Sequence, residues 1–186
     1  MIGLGTIINC GSVLAGASAG MLLKNGLSKR FEDTIMQGIG LCTMFIGIGG
    51  ALSGLLTLEN GQLATQHTML LILSLALGAL IGEALNIEKH LEDFGIFCQD
   101  RLKSQGDSHF VEGFVSFSLL ICIGAMAIVG SLNSGLLGDH SMLFAKSLLD
   151  GISSIVFSVS FGIGVPLSAV CVFVYQAVIT LAAGAL

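Results

Sequence analysis

Ser141-Met142-Leu143-Phe144-Ala145-Lys146-Ser147-Leu148-Leu149-Asp150-Gly151-Ile152-Ser153-Ser154-Ile155-Val156-Phe157-Ser158-Val159-Ser160-Phe161-Gly162 is long enough to cross a bilayer as one helix, yet carries a lysine and an aspartate in its first half. Lys146 and Asp150 are four residues apart and so share a helix face. A charge near a bilayer centre costs roughly 2.5–3.5 kcal/mol on insertion scales, so such residues usually face a protein interior or a wet cavity. Ser153, Ser154 and Ser158 extend the polar side. Two readings stand open. Either the stripe is a working site, or Lys146, about 7.5 Å below the helix start at 1.5 Å per residue, snorkels to the surface with Asp150 paired to it.

The rest of the chain sets the same context. Of 186 residues, 54% are hydrophobic and 10% charged, with 26 glycines and one proline. A soluble domain carries about 25% charged residues, so these figures describe an integral membrane protein. The net charge of −5 is spread over short loops without a basic patch, which excludes nucleic acid as a partner. Cys10, Cys42, Cys122 and Cys171 lie in apolar segments and Cys98 in a polar linker, so neither a disulfide framework nor a metal site is expected. The N-terminus lacks the Lys/Arg start of a secretory signal and is read as the retained first membrane helix; Asn9 before Cys10 argues against lipidation.

Apolar segments run over about 3–23, 34–56, 67–86, 110–132, 141–162 and 165–185. Each is near the roughly 20 residues that a hydrocarbon core requires. Gly16/Gly20, Gly50/Gly54 and Gly78/Gly82 form small-x-x-x-small seams that let helices approach closely. Such seams are compatible with a homo-oligomer without fixing its size. Lys24, Lys29 and Arg30 lie between segments one and two, and Lys89, Arg101 and Lys103 between three and four; the connections 57–66 and around Asp139 have no Lys or Arg. The positive-inside rule then places loops 24–33 and 87–109 in the cytoplasm and the N-terminus outside. Ile163-Gly164-Val165-Pro166 reads as a tight turn or a break at membrane depth. From Ile87 to Lys103, apolar residues recur at helical spacing between charges, which predicts an amphipathic helix on the inner membrane face, continuous with or hinged to segment three. Gln105 to Ser108 then reads as a mobile loop.

Internal duplication is a further signal. His67-Thr68-Met69-Leu70, Ser74, Leu75 and Gly78 align with His140-Ser141-Met142-Leu143, Ser147, Leu148 and Gly151. Cys42, Ile48, Gly50 and Leu52 align with Cys122, Ile128, Gly130 and Leu132, and Lys29, Glu32 and Asp33 with Lys89, Glu92 and Asp93. The implied unit is a helix hairpin in parallel repeats over about 3–56, 67–132 and 141–186, within one membrane domain spanning 1–186. Where segment five has Lys146 and Asp150, segment three has Leu73 and Leu77. The shared scaffold therefore does without the charges.

Gly5-Thr6-Ile7-Ile8-Asn9, Leu77-Gly78-Ala79-Leu80-Ile81-Gly82-Glu83, Phe114 to Gly130, and above all Gly138-Asp139-x-Ser141 followed by Ala145-Lys146-Ser147-x-x-Asp150 resemble the YqgA/YdfK family of bacterial inner-membrane proteins, catalogued as domain of unknown function 554. The resemblance covers essentially the whole chain. It implies a bacterial plasma-membrane, multi-helix protein, sometimes described as a transporter, with no agreed substrate or reaction. Members of that family look longer at the C-terminus, and this chain ends flush with an apolar run at Leu186, which leads to the expectation of a C-terminal truncation.

The expected fold is an all-α polytopic transmembrane bundle of about six membrane helices built from repeated hairpins, plus one amphipathic interfacial helix. The leading functional expectation is a transporter or channel for a small solute or ion in the lipid bilayer. Lys146 and Asp150 would line the path, with Asn9, Ser154, Ser158 and Gln176 as helpers. Asn9 and Gln176 also have a plainer role as amides that bond across helix interfaces. Glu83 is expected near the interface, Gln37 at a helix start, and His67, His90, His109 and His140 at solvated segment ends. No Ser-His-Asp order, phosphate-binding glycine loop or His-x-x-x-His pair is present, so neither an enzyme nor a cofactor or metal is expected. The alternative is a non-transporting scaffold or regulator acting through its amphipathic linker.

Overall fold

The computed structural model describes residues 3–23, 28–59, 62–101 and 109–185. Lys24, Lys103 and the expected mobile loop at 105–108 lie outside these residues. The chain forms α1 (Leu4–Leu22), α2 (Lys29–Leu55), β1 (Leu56–Glu59), β2 (Gln62–Thr65), α3 (Thr68–Leu85), α4 (Ile87–Arg101), α5 (Phe110–Cys122), α6 (Ala125–Leu136), α7 (Ser141–Phe161) and α8 (Gly164–Gly184). The protein is an all-α polytopic membrane bundle. Among the described residues, five helical stretches are long and apolar enough to span a bilayer: α1, α2, α3 running into α4, α7 and α8; α5 and α6, taken as one bent span, make a sixth.

Three departures from the sequence reading have local causes. Segment four is not one straight span: α5 and α6 meet at a 55° bend across Ile123 and Gly124. Gly124 takes an extended conformation (φ −63°, ψ 138°) that ends one helix and begins the next. The connection 57–66 is in part an antiparallel hairpin, with Leu56 opposite Thr65 and Leu58 opposite Leu63; Leu56-Thr57-Leu58-Glu59 alternates apolar and polar residues as a strand does. The third departure concerns glycine. Gly50, Gly54, Gly78 and Gly82 have no neighbouring side chain or helix where a Cβ would sit, so these two seams are not packed within the chain.

The Gly16/Gly20 seam is packed. A methyl at Gly16 would collide with the carbonyl of Gly151 and the hydroxyl of Ser154, and one at Gly20 with the carbonyl of Ile155. Ser12 Oγ donates to the Ser147 carbonyl at 2.6 Å. In lipid, where burial of apolar surface drives little, such close approach is what joins helices. Residue numbers rise together along this seam, from Gly5 against Leu143 to Gly20 against Ser158, so α1 and α7 run parallel. α8 runs parallel to α5 and α6: the Ser168 hydroxyl donates to the Phe114 carbonyl at 3.1 Å, and Gly135 abuts Thr180 and Ala183. Val13, Ala17, Phe117, Ile121, Val165, Ala169 and Val172 form the apolar core among α1, α5 and α8.

α2 and α3 have no buried residues and stand outside this core. α2 is tied to α7 where the Ser160 hydroxyl donates to Glu32 Oε2 at 3.0 Å. Asn86, with φ 44°, hinges α3 to α4. α4 packs on α5 through buried Gly95 against Phe114. Its Ile87, Leu91 and Phe94 line an apolar groove of about 890 Å³ shared with α5, α6 and α8.

Candidate functional site: a buried ion pair beside a broken helix

Lys146 and Asp150 lie on the face of α7 that turns into the bundle, and both are about 5% exposed (5% and 6%). Lys146 Nζ donates to Asp150 Oδ1 at 2.8 Å and to Oδ2 at 2.6 Å. Asn9 Nδ2, from α1, donates to Oδ2 at 3.0 Å. The lysine therefore does not snorkel to the surface: its partner is one helical turn deeper, and the α1 amide completes the carboxylate's shell. Asp150 is about 13.5 Å from the start of α7 at 1.5 Å per residue, close to the middle of a 30 Å hydrocarbon core. The bend at Ile123 and Gly124 likewise falls midway along the α5–α6 stretch.

A cavity of about 320 Å³ joins the pair to the bend. Met36, Gly40, Thr43 and Gly47 of α2 form one wall, Gly124, Ala125 and Met126 another, and Lys146, Asp150 and Ser153 the charged wall. The α2 residues recur at intervals of three and four, so one face of that helix, kept low by two glycines, covers the charged pair. At the break the Ile123 N–H still donates to the Leu119 carbonyl at 3.1 Å and the Ala127 N–H to the Gly124 carbonyl at 2.9 Å, while the end groups between them lie beyond either helix's own ladder. The break thus borders the cavity with backbone donors and acceptors beside a buried cation and anion.

The candidate residues divide into two groups. Asn9 joins Lys146 and Asp150. Ser154 and Ser158 instead face α1 at Gly16 and Gly20 and do not line the cavity; the Ser154 hydroxyl donates to its own helix at Gly151. Gln176 is fully buried on α8, away from the cavity wall. The α2 wall and Gly124 were not singled out from the sequence. Their signals were a glycine mid-segment in segment four and the run Gly40, Thr43, Gly47 at helical intervals. Outside the membrane segments, the Asp139 carboxylate accepts from Ser141 N–H at 2.9 Å and Ser141 Oγ at 2.6 Å. These bonds favour its charged form and hold the carboxyl below its ordinary range.

Among the described residues, no group of three or more His, Cys, Asp or Glu is placed to hold a metal ion. No solved structure matches the chain. It is 31% identical over 172 residues to a Bacillus subtilis (strain 168) protein named "Uncharacterized membrane protein YdfK", covering 92% of this chain and 69% of that one. It is also 31% identical over 185 residues to the Escherichia coli (strain K12) "Uncharacterized protein YqgA", covering 97% of this chain and 74% of that one. With residues 4–186 matching the family described as "Protein of unknown function (DUF554)", the chain belongs to that family of membrane proteins.

Proposed function

We propose that the protein is a bacterial plasma-membrane transporter for a small solute or ion, and that the cavity between α2, the α5–α6 break and the Lys146–Asp150 pair is its binding site. The observation that carries this reading is the buried ion pair opening onto a cavity beside a broken helix. Taking two charges out of water is expensive, and hydrophobic replacement of a buried pair is often neutral or stabilising by about 1–4 kcal/mol. A pair held at mid-membrane is therefore poorly explained by stability. Discontinuous helices near the midplane are a recurrent transporter device, because their free ends supply backbone groups to a solute.

Each residue then has a role. Lys146 offers an ammonium to an anionic group, Asp150 a carboxylate to a cationic one, and Asn9 holds the carboxylate in place. Without solute the two charges neutralise one another, which lets the empty protein change conformation without an unpaired charge in the membrane. The cavity admits only a small ligand. We place the N-terminus outside and the basic loops in the cytoplasm, as the distribution of Lys and Arg indicates.

The test is uptake by vesicles reconstituted with the full chain and offered small zwitterions, carboxylates and inorganic ions. Wild type is expected to move at least one of these classes, and the double variant Lys146→Met/Asp150→Leu to lose that uptake while remaining folded. Uptake unchanged in the double variant overturns the site. If no class moves, and deleting α4 alone gives a phenotype in cells, the scaffold reading replaces transport.

A further inference from the structure

Away from the cavity lining, the bundle holds buried polar groups that its own side chains do not satisfy. Asn9 uses its amide nitrogen on Asp150, but its Oδ1 has no hydrogen-bond partner among the described residues. Neither Oε1 nor Nε2 of Gln176 has one, and the same holds for the hydroxyls of Thr6, Ser131 and Thr180. All five residues are at most 1% exposed.

Packing brings these groups to adjacent levels. Leu143 abuts both Gly5 of α1 and Gly130 of α6, which sets Thr6 and Ser131 at one height. Gly135 abuts Thr180 on the parallel helix α8, so one turn back Ser131 comes level with Gln176. Asn9 is one turn along α1 from Thr6. Serine and threonine hydroxyls can turn to a carbonyl of their own helix. A glutamine amide in mid-helix and the free oxygen of Asn9 have no such recourse, and an unsatisfied buried polar group costs about 1–3 kcal/mol.

We infer that the α1–α6–α8 interface binds a small cluster of water molecules, donating to Asn9 Oδ1 and Gln176 Oε1 and accepting from Gln176 Nε2. Buried waters typically make about three hydrogen bonds to groups of this kind. Through Asn9 the cluster connects to Asp150, giving that carboxylate contact with exchangeable protons by a route separate from the cavity lining. The water site stands on the buried amides alone. Its link to transport rests on the reading of the cavity as a solute site.

Solid-state NMR of the full chain in bilayers, with magnetisation transferred from water to nitrogen-labelled Asn and Gln side chains, tests the inference. The side-chain amides of Gln176 and Asn9 should receive water magnetisation several-fold faster than the backbone amides of Val13 and Ala17, which are buried in the apolar core. Gln176→Leu assigns the Gln176 signal by its loss and should slow the transfer to Asn9 several-fold. Thr6→Val gives a second perturbation of the same cluster where the leucine variant does not fold. Transfer to both amides no faster than to Val13 and Ala17 in the wild type means a dry interface and overturns the inference, whether or not the amides bond one another. The outcomes separate from those for transport: wet amides without uptake sink only the transporter, and uptake with dry amides sinks only the water site.

Discussion

Asn9 Nδ2 lies 3.0 Å from Asp150 Oδ2, although 141 positions separate the two residues along the chain. The bond crosses the parallel α1–α7 interface and makes the first transmembrane helix part of the same polar unit as the charges on α7. It also divides the behaviour of the ion pair into two separable quantities, its cost to the fold and its use.

Removing one partner should be worse than removing both. Asp150→Ala leaves an ammonium buried without a counter-charge, for which a loss of about 3–5 kcal/mol is expected. Lys146→Met/Asp150→Leu removes both charges and should recover most of that loss. Unfolding in mixed micelles, comparing the two variants with wild type, checks the order; equal destabilisation by the single and double changes counts against a buried pair.

Cavity filling should affect uptake without affecting the fold. A Cβ added at Gly124 or Gly47 meets nothing within 4 Å, and both residues line the cavity. Gly124→Leu also suits the observed backbone, because its φ of −63° is ordinary for any residue. Each leucine variant is expected to keep the wild-type unfolding midpoint and to lower uptake about tenfold or more, equivalent to roughly 1.4 kcal/mol in binding. Full uptake with a leucine at both positions would falsify the placement of the path.

The glycines should separate by environment. Gly16→Ala drives a methyl into the Gly151 carbonyl and should cost about 1–3 kcal/mol, as overpacking does. Gly50→Ala on α2 meets nothing and should be neutral or stabilising by up to about 1 kcal/mol through helix propensity. If Gly50→Ala proves as damaging as Gly16→Ala in bilayers, the α2 glycine face is packed there against another molecule.

The Asp139 carboxyl should titrate low. Two bonds from Ser141 favour its ionised form, so the folded-state midpoint should fall below the unfolded value of about 3.9. A depressed carboxyl stabilises the fold above the unfolded value, and that contribution disappears as pH falls through the folded midpoint. Carbon-detected NMR titration of Asp139 checks this. Ser141→Ala removes the hydroxyl bond and should move the midpoint upward.

Much of this architecture was legible before any coordinates. Runs of about twenty apolar residues identify spans because unpaired backbone groups are intolerable in lipid, so nearly every such run must be a helix. The charged stripe on α7 was legible for a related reason: Lys146 and Asp150 stand out against an apolar background, and their four-residue spacing sets them on one face. Gly16 and Gly20 were recognisable as a seam, but so were Gly50, Gly54, Gly78 and Gly82, which the chain leaves unpacked. Small size permits close approach without choosing a partner.

Sequence alone determined that this chain is a helical membrane protein with a lysine and an aspartate on one face of its fifth apolar segment, because periodicity and hydropathy are local properties. Tertiary structure decided that Asn9 is the residue that completes the pair, that Ser154 and Ser158 serve helix contact, and that segment four bends at Gly124 toward a wall made by α2. Those outcomes depend on which helices lie side by side and at what height. In lipid that choice is made by shape and by pairing of scattered polar groups, over distances that no local pattern records.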